Sequence, residues 1–76
     1  MSRLISVVTP CFNEEENVHE LHRRIAAQFA ALPGYRFEHI YIDNASTDQT
    51  VAQIKRLVVE QNNVRLIVNQ RNFGHI

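Results

Sequence analysis

Phe37-Glu38-His39-Ile40-Tyr41-Ile42-Asp43-Asn44-Ala45-Ser46-Thr47-Asp48 is the stretch on which the fold turns. Its first half is rich in aromatic and β-branched residues and reads as a strand, 37–42, that delivers Asp43 to its carboxyl end. Its second half is small and polar. Ser46 or Asp48 there can cap a helix whose apolar positions are Val51, Ile54, Leu57 and Val58. A strand that runs through a short polar turn into a helix is part of a βαβ unit, so a strand is expected on either side.

Upstream, 4–8 is a short β-branched run closed by Thr9-Pro10, and because proline cannot donate to a sheet ladder the strand is expected to stop there. Asn13 reads as the N-cap of a first helix, with Glu16 three places on as in a capping box and Glu14, Glu15 and Glu16 favoured by the helix dipole. Val18, Leu21, Ile25, Phe29 and Leu32 then recur on one helical face until Pro33-Gly34 breaks the pattern. Downstream, Asn62-Asn63 ends the second helix, 64–68 reads as a third strand, and 69–74 is a polar turn.

The order is βαβαβ in one continuous α/β unit. Right-handed crossovers make the sheet parallel, and the half-Rossmann arrangement places the strands in the spatial order 3-2-1. The loops 9–14, 43–48 and 69–74 then converge at the carboxyl edge, where open α/β sheets bind their ligands.

Composition narrows the function. Eight Lys and Arg balance eight Asp and Glu, without a basic block to track a nucleic-acid backbone, so nucleic acid is not an expected partner. A lone cysteine, Cys11, leaves no internal disulfide framework and fits a reducing, cytoplasmic setting. The opening residues resemble neither a spanning helix nor a secretory signal. There is no Gly-x-Gly-x-x-Gly and no phosphate loop of the Gly-x-x-x-x-Gly-Lys type, which disfavours two large nucleotide-binding classes. His19 and His22, three apart on one helix, have metal-compatible spacing but no evident third ligand, and are read as surface histidines. Cys11 reads as a small buried residue rather than a nucleophile.

Three segments taken together carry more information than each alone: Val7-Val8-Thr9-Pro10-Cys11-Phe12-Asn13-Glu14-Glu15, Ile42-Asp43-Asn44-Ala45-Ser46-Thr47-Asp48 and Asn69-Gln70-Arg71-Asn72-Phe73-Gly74. In order and spacing they resemble the start of family-2 glycosyltransferases, which have the GT-A fold, and the resemblance covers essentially the whole chain. The family opens with an apolar strand, then Pro, a small residue, an aromatic, Asn and Glu, matched here by Pro10, Cys11, Phe12, Asn13 and Glu14. Its Asp-Asp-Gly-Ser-Thr-Asp is matched from Asp43 to Asp48, with Asn44 and Ala45 replacing the second Asp and the Gly. The third segment is similar to polyprenyl-phosphate sugar transferases, the branch that includes dolichol-phosphate mannose synthases.

The resemblance implies a nucleoside pocket in which Pro10 and Phe12 form the wall, Glu14 hydrogen-bonds to the nucleoside and Asp43 accepts from the base. From its residues alone, Phe12 is equally suited to a hydrophobic staple on the first helix, and Asp48 suits a helix cap better than a ligand contact. Arg71, a cation in the third loop, is either a diphosphate contact or a solvated turn residue. The resemblance further implies a parent enzyme that uses a UDP- or GDP-sugar, bound with Mg²⁺ or Mn²⁺, and a polyprenyl phosphate acceptor at the cytoplasmic face of a membrane. In that family the Asp-x-Asp metal motif and the catalytic base lie beyond the point matching Ile76, so this chain alone is expected to bind no metal and to be inactive. A non-catalytic nucleotide-binding or assembly module, or a structural fragment that binds nothing, are the alternatives. The bare edge of the first strand is expected to drive self-association.

Overall fold

The computed structural model describes residues 3–69. Five elements follow in the order β1 (Arg3–Cys11), α1 (Val18–Ala30), β2 (Tyr35–Asn44), α2 (Thr50–Glu60) and β3 (Val64–Asn69). The strands form one parallel sheet in the order β1-β2-β3, which is the expected 3-2-1 arrangement counted from the other edge. Both crossovers carry their helix to the same face. There α1 and α2 touch each other and both rest on β2.

Strand alternation assigns the side chains. Register pairs such as Ile5 with Phe37, Val7 with His39, Thr9 with Tyr41 and Cys11 with Asp43 point toward the helices, joined from β3 by Val64 and Leu66. The core lies in this layer: Cys11, Tyr41 and Val64 from the sheet meet Val18 of α1 and Ile54 and Leu57 of α2, with Leu21 and Leu66 packed against them. The Tyr41 hydroxyl, buried with its ring, donates to the Val18 carbonyl at 2.6 Å and so ties the first turn of α1 to the central strand.

On the opposite face Leu4, Val8 and Ile67 remain about half exposed, with Ile40 and Ile42 partly covered between them. A polar strip crosses this face, in which the Ser6 hydroxyl and the Arg65 Nε both donate to the Glu38 carboxylate, the latter at 3.2 Å. Both bonds hold the Glu38 carboxyl below the usual carboxylate range, the Ser6 bond more than the Arg65 bond.

Two expectations are corrected. The first strand does not stop at Pro10 but runs to Cys11, with Pro10 in register opposite Ile42. Among the described residues β1 pairs on one side only, and an edge strand tolerates a residue with no N–H to give. The first helix does not start after Asn13, because Asn13 adopts a left-handed backbone (φ 51°) and its side chain is engaged elsewhere. A turn closed by the Asn17 N–H on the Glu14 carbonyl (2.9 Å) intervenes, and Asn17 then occupies the cap position without a side-chain capping bond. Leu32, expected on the apolar face, falls beyond α1 and is nearly half exposed. Among the described residues no helix is long and apolar enough to cross a membrane.

Candidate functional site

The carboxyl ends of β1 and β2 bring together the loops 12–17 and 45–49, which are stitched by side chains rather than by backbone pairing. Each N–H from Ser46 to Thr50 finds a carboxylate or amide oxygen. Ser46 donates to Asp43 (3.0 Å), Thr47 and Asp48 both to the Asn13 Oδ1 (2.8 and 3.3 Å), Gln49 to Glu15 (2.8 Å) and Thr50 to Asp48 (2.9 Å). The exchange is mutual. Backbone N–H groups of Asn13, Glu14 and Glu15 donate to Ser46 Oγ (2.8 Å), Thr50 Oγ1 (2.8 Å) and Asp48 Oδ2 (3.4 Å).

This clasp explains two departures from regular backbone. Asn13 takes the left-handed conformation to aim its amide oxygen at the neighbouring loop, and asparagine tolerates that region better than most residues. Ala45 also has a left-handed backbone (φ 61°), which an L-residue with a Cβ adopts at a cost of roughly 1–2 kcal/mol. It occupies the position where the resembling motif carries glycine.

Asp43 lies wholly beneath the loop. One carboxylate oxygen accepts from the Ser46 N–H, and the other from the Ser46 hydroxyl (2.5 Å) and, weakly, the Cys11 thiol (3.9 Å). It therefore organises the turn and offers no exposed oxygen in this conformation. The exposed polar group at the tip of β2 is Asn44, whose Oδ1 accepts from Asn69 Nδ2 at 2.9 Å and so joins the ends of β2 and β3.

Pro10 and Glu14 border a cleft of about 240 Å³ with Thr9, Cys11, Asn17, Val18, Leu21 and Tyr41. The Glu14 carboxylate, exposed at its rim, accepts from Asn17 Nδ2 at 3.1 Å. Phe12 is 53% exposed, so its ring is not consumed in a staple on α1. Arg71 lies outside the described residues. The structure thus collects Pro10, Phe12 and Glu14 at the surface of one edge and sets Asp43 below it.

Charge at this edge is mostly committed. Burial raises the Asp48 carboxyl, but hydrogen bonds from Thr50 and the Glu15 N–H outweigh it and hold the group below its ordinary value. The Cys11 thiol is pushed up to about 11, first by burial and then by the charge of Asp43, so it is protonated at neutral pH and is no nucleophile. Among the described residues no cluster of three or more His, Cys, Asp or Glu is arranged to hold a metal ion. Asp43, Glu15 and Asp48, the acidic side chains of the clasp, instead face backbone N–H groups.

Some of this escaped the sequence. Asn13 satisfies a local capping pattern, and nothing in its neighbours reveals that its oxygen serves a loop 34 residues away. His22, expected at the surface, is 6% exposed. The signal was present, since 18, 22, 25 and 29 also form a helical stripe, and alternation in β2 puts His39 between Phe37 and Tyr41 on the covered face.

A parallel α/β half-unit with two clasped loops at its carboxyl edge and an ordered Asp-Asn-Ala-Ser-Thr-Asp turn defines a class, and residues 6–76 match Glycosyl transferase family 2. The chain belongs to that family. It is 39% identical over 71 residues to the dodecaprenyl-phosphate galacturonate synthase of Rhizobium johnstonii, covering 92% of this chain and 21% of that protein. It is 37% identical over 71 residues to the putative glycosyltransferase CsbB of Bacillus subtilis (93% and 21%), and 36% identical over 70 residues to a prophage bactoprenol glucosyl transferase homolog of Escherichia coli (92% and 22%). The chain spans about a fifth of the length of these relatives.

The clasp predicts opposite outcomes for its two left-handed residues. Asn13→Ala removes the acceptor of two loop N–H groups and is expected to lower stability by about 1–3 kcal/mol. Ala45→Gly relieves the strained φ and is expected to be neutral or stabilising by up to about 1 kcal/mol, the gain being offset by the freer unfolded chain. Urea denaturation of the two variants beside the parent chain measures both.

Proposed function

We propose that the chain is the nucleoside-binding portion of an inverting glycosyltransferase that transfers a sugar from a nucleotide donor, with polyprenyl phosphate as the acceptor of the whole protein. The observation that carries this reading is the grouping of exposed Phe12, Pro10 and Glu14 on a clasped, preorganised loop edge in a family-2 chain. An aromatic ring beside a few aimed acceptors suits a base and ribose. The names of the relatives, a dodecaprenyl-phosphate synthase and bactoprenol glucosyl transferases, support the lipid phosphate as acceptor.

The clasp also bears on which half of the donor this chain holds. Helix N-termini commonly bind phosphate through free N–H groups, but in the turn that leads into α2 the N–H groups of 46–50 are already taken by side chains. Contact with UDP or GDP is therefore assigned mainly to the base and ribose. Arg71 is the proposed contact for the diphosphate. Mg²⁺ or Mn²⁺ belongs to the proposal for the whole protein, where its chemistry is to neutralise the leaving diphosphate. Its ligands are assigned outside 3–69, and the proposed setting is cytoplasmic, at the membrane face.

Because Asp43 is buried, its proposed contribution to base recognition runs through the turn it organises. Calorimetric titration of UDP and GDP into the chain is expected to show weak binding, without sugar transfer or donor hydrolysis. Phe12→Ala should weaken binding roughly tenfold while the fold is unchanged, in line with about 1–3 kcal/mol for stacking of a base. Asp43→Ala should abolish binding and destabilise the loop, and Arg71→Ala should have a smaller effect that fades with salt. Unchanged affinity in both Phe12→Ala and Asp43→Ala would place the nucleoside elsewhere.

We also propose that the chain self-associates through β1, whose second edge is unpaired among the described residues and whose Leu4 and Val8 are half exposed. Val7 lies in register with buried His39 on the helix side, so a lysine there would disturb the core as well. Val8→Lys on the open face is the cleaner probe. Light scattering over a concentration series should show dimers or larger species in the parent chain and a shift toward monomer in Val8→Lys; a parent chain that stays monomeric at high concentration refutes the contact.

A further inference from the structure

Two buried histidines and a partly buried threonine, from three elements, form a polar chain beneath α1. His39 of β2, with no exposed surface, meets His22 of α1 with the two Nδ1 atoms 3.0 Å apart, and its Nε2 meets Thr9 Oγ1 of β1 at 2.8 Å. The two imidazoles stack at 5.3 Å, while Phe37 flanks His22 at 5.8 Å and Tyr41 lies 4.1 Å from His39. Both nitrogens of His39 are engaged within the protein. Thr9 and Tyr41 also border the cleft at the carboxyl edge, but the bonds that clasp the loops involve none of these groups.

The chain of bonds counts protons. While both rings are neutral, whichever Nδ1 carries the hydrogen donates to the other. One added proton still fits geometrically, because a doubly protonated His39 could donate to His22 and to Thr9 together. A second would set two N–H groups face to face at 3.0 Å. Burial opposes even the first: it pushes His39 down to about 4, with the charge of His22 adding to the effect. His22 is lowered as well, by burial and then by His19.

No carboxylate offsets these effects on either ring. The titratable groups nearby are His19 on α1, Tyr41 on β2, whose hydroxyl is held above its ordinary value chiefly by burial, and Cys11 on β1 beyond it. From α2 and β3 the core receives Ile54, Leu57, Val64 and Leu66, all uncharged.

The position of His22 makes the cluster mechanical. Val18 and His22 are the buried residues of α1, whereas α2 is anchored by Thr50, Ile54 and Leu57. We propose that His22, His39 and Thr9 form a proton-sensitive latch that holds α1 on the sheet while both imidazoles are neutral and releases α1 ahead of the rest of the fold when they are protonated. Release would also loosen the loop 12–17 that leads into α1. The latch does not depend on what the carboxyl edge binds.

The direction of the pH effect follows from linkage. Both histidines are depressed in the folded chain, so their contribution is complete above the free-histidine value near 6.5 and is lost as pH falls toward about 4. Between pH 6.5 and 5, the unfolding constant should rise with falling pH by up to about a hundredfold per unit, since two protons are taken up on opening. In His22→Gln, which keeps a hydrogen-bonding partner for His39 but does not titrate, the limit is about tenfold per unit.

The experiment combines urea denaturation at several pH values with amide hydrogen exchange and histidine NMR titration of the 76-residue chain. The expected result is a His39 resonance that stays neutral at pH 5.5, with α1 amides losing protection before those of α2 and the sheet. A reduced pH slope in His22→Gln completes the pattern. If that variant does not fold, the titration and exchange data from the parent chain still decide. The proposal is overturned by a His39 that titrates near 6.5, whether because water reaches it or because the cluster never forms. It is equally overturned by protection lost uniformly across both helices and the sheet.

Discussion

The five consecutive N–H groups from Ser46 to Thr50 are the constraint around which the candidate site is built. A segment entering a helix has donors that no preceding turn can satisfy, and each must find a side-chain oxygen or water. This chain answers with oxygens from Asp43, Asn13, Glu15 and Asp48, drawn from the end of β2 and from both loops. Asp43 is placed beneath the turn by that role, Asn13 is drawn into a left-handed conformation, and the start of α1 is delayed to Val18. The surface left over is where Phe12, Pro10 and Glu14 stand.

The same arrangement separates support from contact. Asp43 is the residue of the motif that draws notice first, yet its oxygens face inward, while the neighbouring Asn44 is exposed. A strand tip places successive side chains on opposite faces, so adjacent members of one motif divide these two tasks. Belonging to Glycosyl transferase family 2 gives the motif its context, and burial determines how each member acts within it.

The element order, the parallel sheet and most of the core were legible because each rests on a local period: alternation in β2, and steps of three and four in α1 and α2. Pro10 was read by its missing donor, which ends a strand only where a partner needs that donor, and β1 is an edge among the described residues. Asn13 was read as a cap because its three followers fit one, but the oxygen it supplies is claimed across the sheet. His22 was assigned to solvent on residue type, although its stripe with Val18 pointed inward. For Asn13 a long-range partner outcompetes a sound local preference, and no periodicity encodes such a partner.

The parallel register also has consequences for how the chain acquires its shape. Paired residues of β1 and β2 are 32 apart in sequence, those joining β2 to β3 are 25 apart, and the clasp bonds between loops span 33–36. Without a hairpin, no strand can zip onto another from a tight turn, and each pairing closes a long loop whose entropy must be met before the ladder rewards it. Formation of the sheet is therefore slow relative to the growth of α1 and α2, whose contacts are local. The loop edge is assembled from the most distant contacts of all, so it completes only when the strands beneath it are already aligned.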